Sequence, residues 1–248
     1  MKYVLSEQNN SVLKLTIDRV AQKNAINAQM YGFLADELER ANADEQIHSV
    51  LISAAGDIFT AGNDLQDFLN PPKGDELPAV RFLYALAKSD KPLVAAVNGP
   101  AIGIGLTLLL HCDIAICADS ASFVAPFAKL GLVPEAASSL LLPRIVGRSM
   151  ANDILLSGRT LNAQEALQCG LVSRVVDLKD LAKEAQALVE TLANMPQQAM
   201  GKSKALINRD ARQEILDKMQ QEFIDFDAQL ASDEFKRAVA PLLKPKTA

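Results

Sequence analysis

Three short stretches carry the residue types that can do chemistry on a carbonyl compound. They are Ala61-Gly62-Asn63-Asp64-Leu65 behind Phe59-Thr60, Asn98-Gly99-Pro100-Ala101-Ile102-Gly103-Ile104-Gly105, and Glu135 directly after Pro134. Each glycine-bearing loop follows an apolar segment and presents backbone N–H groups, and two such loops together can hold a carbonyl oxygen as it becomes negative. Gly62 and the N–H of Asn63 make the first donor site, although Asn63 in a Gly-Asn-Asp run also reads as a turn residue satisfying its own backbone. The second lies where Gly103-Ile104-Gly105 enters Leu106-Thr107-Leu108-Leu109-Leu110. Glycines on both sides of Ile104 let the backbone approach a ligand, and the start of the following helix points unpaired N–H groups at it. The glycine spacing here is G-x-x-x-G-x-G, which does not match the G-x-G-x-x-G of a dinucleotide loop.

Glu135 reads two ways. Proline in a first helical turn followed by glutamate is a common helix start, with the carboxylate complementing the dipole. A partly buried carboxylate whose pKa is raised toward neutrality could instead take and return a proton.

The elements that must position these residues alternate. Val12 to Ile17, Val50-Leu51-Ile52, Leu93 to Val97 and Ile114-Ala115-Ile116 read as strands, and Met30, Phe33, Leu34, Leu38 and Ala41 fall on one helical face. The class is therefore α/β. Helices are predicted from Pro134 to Val146 and near 149–157 and 162–168, with a strand at Val172 to Val176. From about residue 178 the chain reads as helical, with Pro196 separating two long stretches and Pro241 near the end. Residues 1–190 are assigned to the core and 191–248 to a helical C-terminal region whose apolar faces pack on the core or on another subunit. The polar run Asn70-Pro71-Pro72-Lys73-Gly74-Asp75-Glu76 is expected to be a mobile surface loop bordering the site.

Bulk properties bound the function. At 248 residues and 49% hydrophobic the chain can bury a full core, and a formal charge of −5 repels phosphate polymers and anionic lipid, so no nucleic-acid or membrane partner is expected. No charge occurs between Lys91 and Asp113, but Asn98-Gly99-Pro100 breaks that apolar run into a strand, a loop and a buried helix. Cys112, Cys117 and Cys169 form no C-x-x-C pair and only two histidines are present, so no metal site is expected and the thiols read as free. Met1-Lys2-Tyr3-Val4 lacks the layout of a signal peptide, giving a cytoplasmic expectation. His111 is expected to be packed and His48 exposed, and nothing places either beside a nucleophile as a triad requires.

These residues, taken in order, resemble the crotonase, or enoyl-CoA hydratase/isomerase, superfamily. Asp18 through Asn27 is similar to its N-terminal strand-to-helix turn, Ala61 to Leu65 to its first oxyanion loop and Asn98 to Gly105 to its second. Asp113 and Ala118-Asp119 match the segment that follows, and Ser232-Asp233-Glu234-Phe235-Lys236 resembles the C-terminal helix. The resemblance implies a crotonase-like spiral of ββα units, a helical C-terminal trimerisation region giving a homotrimer or a dimer of trimers, and an acyl-CoA substrate. It implies no metal or nicotinamide cofactor, CoA being part of the substrate. The oxyanion hole would comprise the N–H groups of Asn63 and Ile104, where the family commonly has glycine in place of Ile104. CoA would lie along Ala61, Gly62, Asn63, Asp64 and Leu65 and near Lys23, Ala25 and Gly103, with Phe235 and Lys236 reaching it from a neighbouring subunit. Solvent exposure for Lys23 and Lys236, and helix packing for Phe235, are the alternatives.

The positions of the two glutamates that hydratases of the family use hold Thr107 and Phe127, neither of which is a carboxylate base. Glu135 instead matches the single catalytic carboxylate of members resembling the peroxisomal type of 3-enoyl-CoA to 2-enoyl-CoA isomerase. By that resemblance the expected activity is double-bond isomerisation with Glu135 as proton shuttle. The alternatives are an isomerase of ring-derived acyl-CoA thioesters and a non-catalytic acyl-CoA-binding protein. Phe127, Leu130 and Leu132 read equally as water-excluding residues or as ordinary core.

Overall fold

The computed structural model describes residues 3–69, 77–208 and 211–243, so the loop expected at Asn70 to Glu76 lies outside the described residues. The chain enters through β1 (Val4–Asn9) and β2 (Val12–Ile17), an antiparallel hairpin turned at Asn10 with φ +52°. Asparagine is among the few residues that adopt this conformation readily. Helix α1 (Ala28–Ala43) then crosses to β3 (Ser49–Ala54), and α2 (Leu65–Leu69) and α3 (Pro78–Ala87) lead to β4 (Leu93–Val97). Next come β5 (Ala101–Ile102), α4 (Ile104–Thr107), a 3-10 segment at Leu108–His111, β6 (Ile114–Ala118) and β7 (Ser122–Val124). They are followed by α5 (Ser138–Val146), α6 (Arg148–Ser157), β8 (Leu161–Asn162), α7 (Ala163–Gln168) and β9 (Arg174–Val176). Helices α8 (Leu178–Ala193), α9 (Gln197–Asn208), α10 (Arg212–Leu230) and α11 (Asp233–Leu243) complete the described chain.

Six strands pair in the order β1-β2-β3-β4-β6-β9 and are parallel from β2 onward. Their side chains alternate between two faces, as the pleat requires. Leu13, Leu15, Val50, Ile52, Leu93, Ala95, Val97 and Cys117 join the main core, while Val12, Leu51, Val94, Ala96, Ile116 and Ala118 form a second cluster with Leu181, Ala185, Leu188 and Val189 of α8. Both faces of the sheet are thus covered, which explains the near-continuous apolar strands.

A second row of short extended segments runs beside the sheet. Its core is β5-β7-β8, continued by single bridges from Thr60 to Ala101 and from Ile26 to Asn63. After each long strand the chain gives one short segment to this row: Thr60 after β3, β5 after β4, β7 after β6. This is the expected spiral of two strands and a helix, and it sets the two glycine loops side by side.

Three sequence expectations change in detail. The helix expected from Pro134 begins at Ser138, because Ala136 and Ala137 both have positive φ (+59° and +54°) and break the right-handed helix before it starts. The expected strand at Val172 to Val176 is shortened to Arg174–Val176. His48 is half-buried, not exposed, with its Nδ1 2.9 Å from the Ala193 carbonyl oxygen.

The turn between β4 and β5 packs directly on the preceding spiral turn. A Cβ at Gly99 would sit 2.0 Å from the Asp57 carbonyl oxygen, so only glycine fits. Gly99→Ala is expected to cost about 2–3 kcal/mol, as overpacking does, and to lower the thermal midpoint by roughly 4–12 °C in a calorimetric scan. An unchanged midpoint would show that this turn moves freely.

Candidate active site

The first loop is fixed from three sides. Asn24 is buried, accepts from the Arg19 N–H at 2.8 Å and donates to the carbonyls of Ala55 and Ile58 at 2.8 and 2.7 Å. The Thr60 hydroxyl donates to the Asn24 carbonyl and accepts from the Gly62 N–H. Asp64 pairs with Arg19 at 2.6 Å, and Asp67 accepts from the Ala28 N–H in the first turn of α1. At the bridge, Ile26 donates to the Gly62 carbonyl and accepts from the Asp64 N–H, both at 2.9 Å. In such a pairing the N–H of the intervening residue, Asn63, points the opposite way.

The second loop turns at Gly103, where φ is +58°. Gly103 donates to Val124 and accepts from Leu106 and Thr107, so Ile104 becomes the first residue of α4. A first-turn N–H has no partner within its own helix. Among the described residues, neither the Asn63 N–H nor the Ile104 N–H donates to a protein acceptor, while the N–H groups of Gly62, Asp64 and Gly103 are taken.

Both residues line one cavity of about 370 Å³, and Glu135 lines it too. Its remaining wall is largely apolar: Leu77, Pro78, Val80 and Leu83 at α3, and Met219, Phe226 and Leu230 on α10. Tyr31 of α1 lines it as well and donates its hydroxyl to the side-chain oxygen of Asn63. Burial, with the carboxylates of Glu135 and Asp67 nearby, raises the Tyr31 pKa well above its ordinary value, so it remains a donor.

Burial pushes the Glu135 carboxyl up to about 7; a hydrogen bond from the Thr107 hydroxyl at 2.5 Å opposes this, and the charge of Glu222 on α10 adds to it. A carboxyl poised there can both accept and release a proton near neutral pH. Thr107→Val should raise that pKa further, since a hydrogen bond to the charged form is lost, and lower activity relative to wild type by about tenfold at pH 6 but by only about twofold at pH 8. A pH–rate profile identical to wild type would mean that the Thr107 bond carries no weight.

The structure brings together Glu135, Asn63, Ile104 and Asp64 around the cavity. Ala61, Gly62 and Gly103 form the backbone that supports them, through Ala61 N–H to Lys23 carbonyl at 3.0 Å and the bonds already given. Leu65 opens α2. Lys23 is exposed, and the half-buried Ala25 accepts from Arg19 through its carbonyl oxygen. Phe235 is placed differently: it is buried in the chain's own core, 2% exposed, behind Gly131, so helix packing takes up the side chain expected to reach CoA. Lys236 is exposed, with Asp233 3.6 Å away. Phe127 and Leu132 are buried core, and none of Phe127, Leu130 and Leu132 lines the cavity.

Sequence reasoning missed Tyr31, the Thr107 hydroxyl as a partner of Glu135, and the α10 wall. For α10 a signal existed, since Met219, Phe223, Phe226 and Leu230 recur at helical spacing. It reads equally as core packing. Among the described residues no cluster of three or more His, Cys, Asp or Glu could hold a metal, and no helix is long and apolar enough to cross a membrane.

With this geometry in view, likeness to known proteins becomes informative. The sequence profile described as enoyl-CoA hydratase/isomerase matches residues 7–243. The 1,2-epoxyphenylacetyl-CoA isomerase of Escherichia coli K12 is 39% identical over 84% of this chain and 82% of its own. Rat enoyl-CoA delta isomerase 2 is 34% identical over 99% of this chain, which spans 65% of that longer protein. The crystal structure of an enoyl-CoA hydratase/isomerase from Pseudoalteromonas atlantica T6c superposes with a TM-score of 0.95 at 49% identity, covering 99% of this chain and 100% of that one. The spiral with its helical C-terminal region is the crotonase fold, and the chain belongs to the enoyl-CoA hydratase/isomerase family.

Proposed function

We propose that this protein is an acyl-CoA double-bond isomerase that converts a 3-enoyl-CoA to the conjugated 2-trans-enoyl-CoA. The observation that supports this most is a cavity lined by Glu135, whose pKa is about 7, and by Asn63 and Ile104, whose backbone N–H groups donate to no acceptor among the described residues; in sequence, Thr107 and Phe127 hold the positions where the resemblance places a hydratase's glutamates.

The thioester makes the C2 proton acidic, and ionised Glu135 removes it. The C2–H electron pair moves toward the carbonyl oxygen, giving a dienolate whose negative oxygen accepts from the N–H groups of Asn63 and Ile104. Glu135, now protonated, delivers the proton to C4. The C3–C4 double bond shifts to C2–C3 and the enzyme returns to its starting state. The apolar wall from α3 and α10 keeps the charge exchange away from water. In this reading CoA follows Ala61 to Leu65 with Lys23, Ala25 and Gly103 beside it, Lys236 contacts it from a neighbouring subunit, and the protein works in the cytoplasm as a homotrimer or a dimer of trimers.

A second reading has its own support. The E. coli relative's name specifies an isomerase of a ring-derived thioester, and Tyr31, Tyr84, Phe223 and Phe226 give this cavity aromatic walls. The same hole and carboxylate would serve that reaction. Purified protein should be offered straight-chain 3-enoyl-CoA thioesters of short, medium and long chains and ring-derived thioesters, and the conjugated product followed by ultraviolet absorbance. Turnover of straight chains supports the first reading. Turnover confined to ring-derived thioesters replaces it with the second, and binding without turnover of any would reject both.

A further inference from the structure

Glu222 lies on α10, outside the loops that form the hole, and is 6% exposed. Its Oε1 accepts from the Ser139 N–H at 2.9 Å and from the Ser139 hydroxyl at 2.5 Å, while Oε2 is buried with no hydrogen-bond partner among the described residues. Ser139 is the second residue of α5, and the segment leading into that helix is Glu135-Ala136-Ala137. Ala136 and Ala137 are both left-handed, at φ +59° and +54°. Two successive alanines in that region are unfavourable by themselves and persist only where the surroundings over-determine them.

Two restraints act on the turn from opposite sides. From the core, the half-buried His111 ring, whose pKa desolvation lowers to about 4, is neutral and has its Nε2 2.8 Å from the Ala136 carbonyl oxygen. From the C-terminal helices, the Glu222 carboxylate caps the start of α5, where a negative charge is favoured. Glu135 emerges from the strained turn between these two anchors. Resting on the isomerase reading above, we propose that Glu222 is a positioning residue: it pins the left-handed turn so that Glu135 faces the two N–H donors. The charge of Glu222 also favours the protonated form of Glu135.

The same helix carries Met219, Phe226 and Leu230 into the acyl cavity, so one element both walls the substrate and aims the base. The titratable groups that line the cavity with Glu135 are Tyr31 of α1, Asp64, Asp67, Tyr84 of α3 and Asp227 of α10; Glu222 of α10 and His111 flank the turn, and Lys218 of α10 offsets the Glu222 charge.

The test compares Glu222→Gln, Glu222→Ala and Ser139→Ala with wild type. Glu222→Gln keeps an acceptor oxygen and removes the charge, so the acid limb of kcat against pH should move to lower pH. Glu222→Ala removes the cap, and kcat should fall about tenfold or more with KM changed by less than about threefold. Ser139→Ala, which leaves the charge in place, should lower kcat without moving the limb. The protonation of Glu135 can also be read without substrate, from its infrared carboxyl band, identified by its loss in Glu135→Gln. That band should titrate at lower pH in Glu222→Gln even if no thioester is turned over, so failure of the isomerase reading is separable from failure of this one. Should Glu222→Ala not fold, the glutamine and Ser139 variants still decide. A wild-type pH limb and band titration in Glu222→Gln, with wild-type kcat in the variants that fold, would overturn the proposal.

Discussion

Glu135→Gln is expected to lower kcat for conversion of 3-enoyl-CoA to 2-enoyl-CoA by about 10²–10⁴-fold, the range that a positioned acid–base group contributes. Glutamine is nearly isosteric and can still accept the Thr107 hydroxyl, so the site should stay formed and KM nearly constant. The loss should therefore appear in kcat, as expected for a group acting in the transition state. Glu135 carries both proton transfers in the proposed scheme, and no neighbour on the same turn can replace it. Retention of more than a tenth of wild-type kcat would remove Glu135 from the role of base.

The same substitution should stabilise the protein above neutral pH. A carboxyl at about 7 in the fold and near 4.3 in the unfolded chain makes the native state bind more protons between those values. Stability is therefore lost as pH rises through that window, on the order of 2–4 kcal/mol in full. Glutamine does not titrate, so the variant's thermal midpoint should match wild type near pH 4 and exceed it at pH 8. Two opposite effects of one change, lower rate and higher midpoint, are what a functional buried carboxyl should give. Equal midpoints at pH 8 would mean that Glu135 is well solvated.

Gly62→Ala should lower kcat by roughly 10²–10³-fold, the cost of losing one oxyanion donor. Gly62 has φ +96°, outside the range alanine adopts comfortably, and an added Cβ would lie 3.0 Å from the Ile102 carbonyl oxygen. Both backbones at this contact belong to the hole, because Gly62 precedes Asn63 and Ile102 leads to Ile104. Relief of the contact must rotate the Asn63 N–H away or push the two loops apart. The fold should survive, since Ile26 still bridges to Asn63 on the far side. Circular dichroism and the thermal midpoint will report the fold, and steady-state kinetics the hole. A folded variant with wild-type kcat would show that Asn63 does not hold the substrate oxygen.

Much of the architecture is legible from local pattern. The apolar runs at Leu13, Val50, Leu93 and Ile114 are strands because buried parallel strands need apolar residues on both faces, and Asn98-Gly99-Pro100 breaks what would otherwise mimic a membrane span. The start of α5 was not legible. Pro134-Glu135 has the composition of a helix start, yet two alanines with no local reason to be left-handed intervene. Their conformation is imposed by His111 and Glu222, which are distant in sequence, and propensity contains no information about such partners.

The sequence alone offered the pieces: glycines where the backbone can come close, a carboxylate at Glu135 and, by family resemblance, Thr107 and Phe127 at the positions of a hydratase's glutamates. The first two are properties of residue type and short spacing. Tertiary structure decided whether these pieces meet. The pairing of Thr60 with Ala101 brings the two loops together, α3 and α10 wall the cavity that Glu135 lines, and the folding-back of α11 buries Phe235 in its own core. Burial and convergence depend on contacts between residues tens to more than a hundred positions apart, and the raised pKa of Glu135 exists only once those contacts have formed.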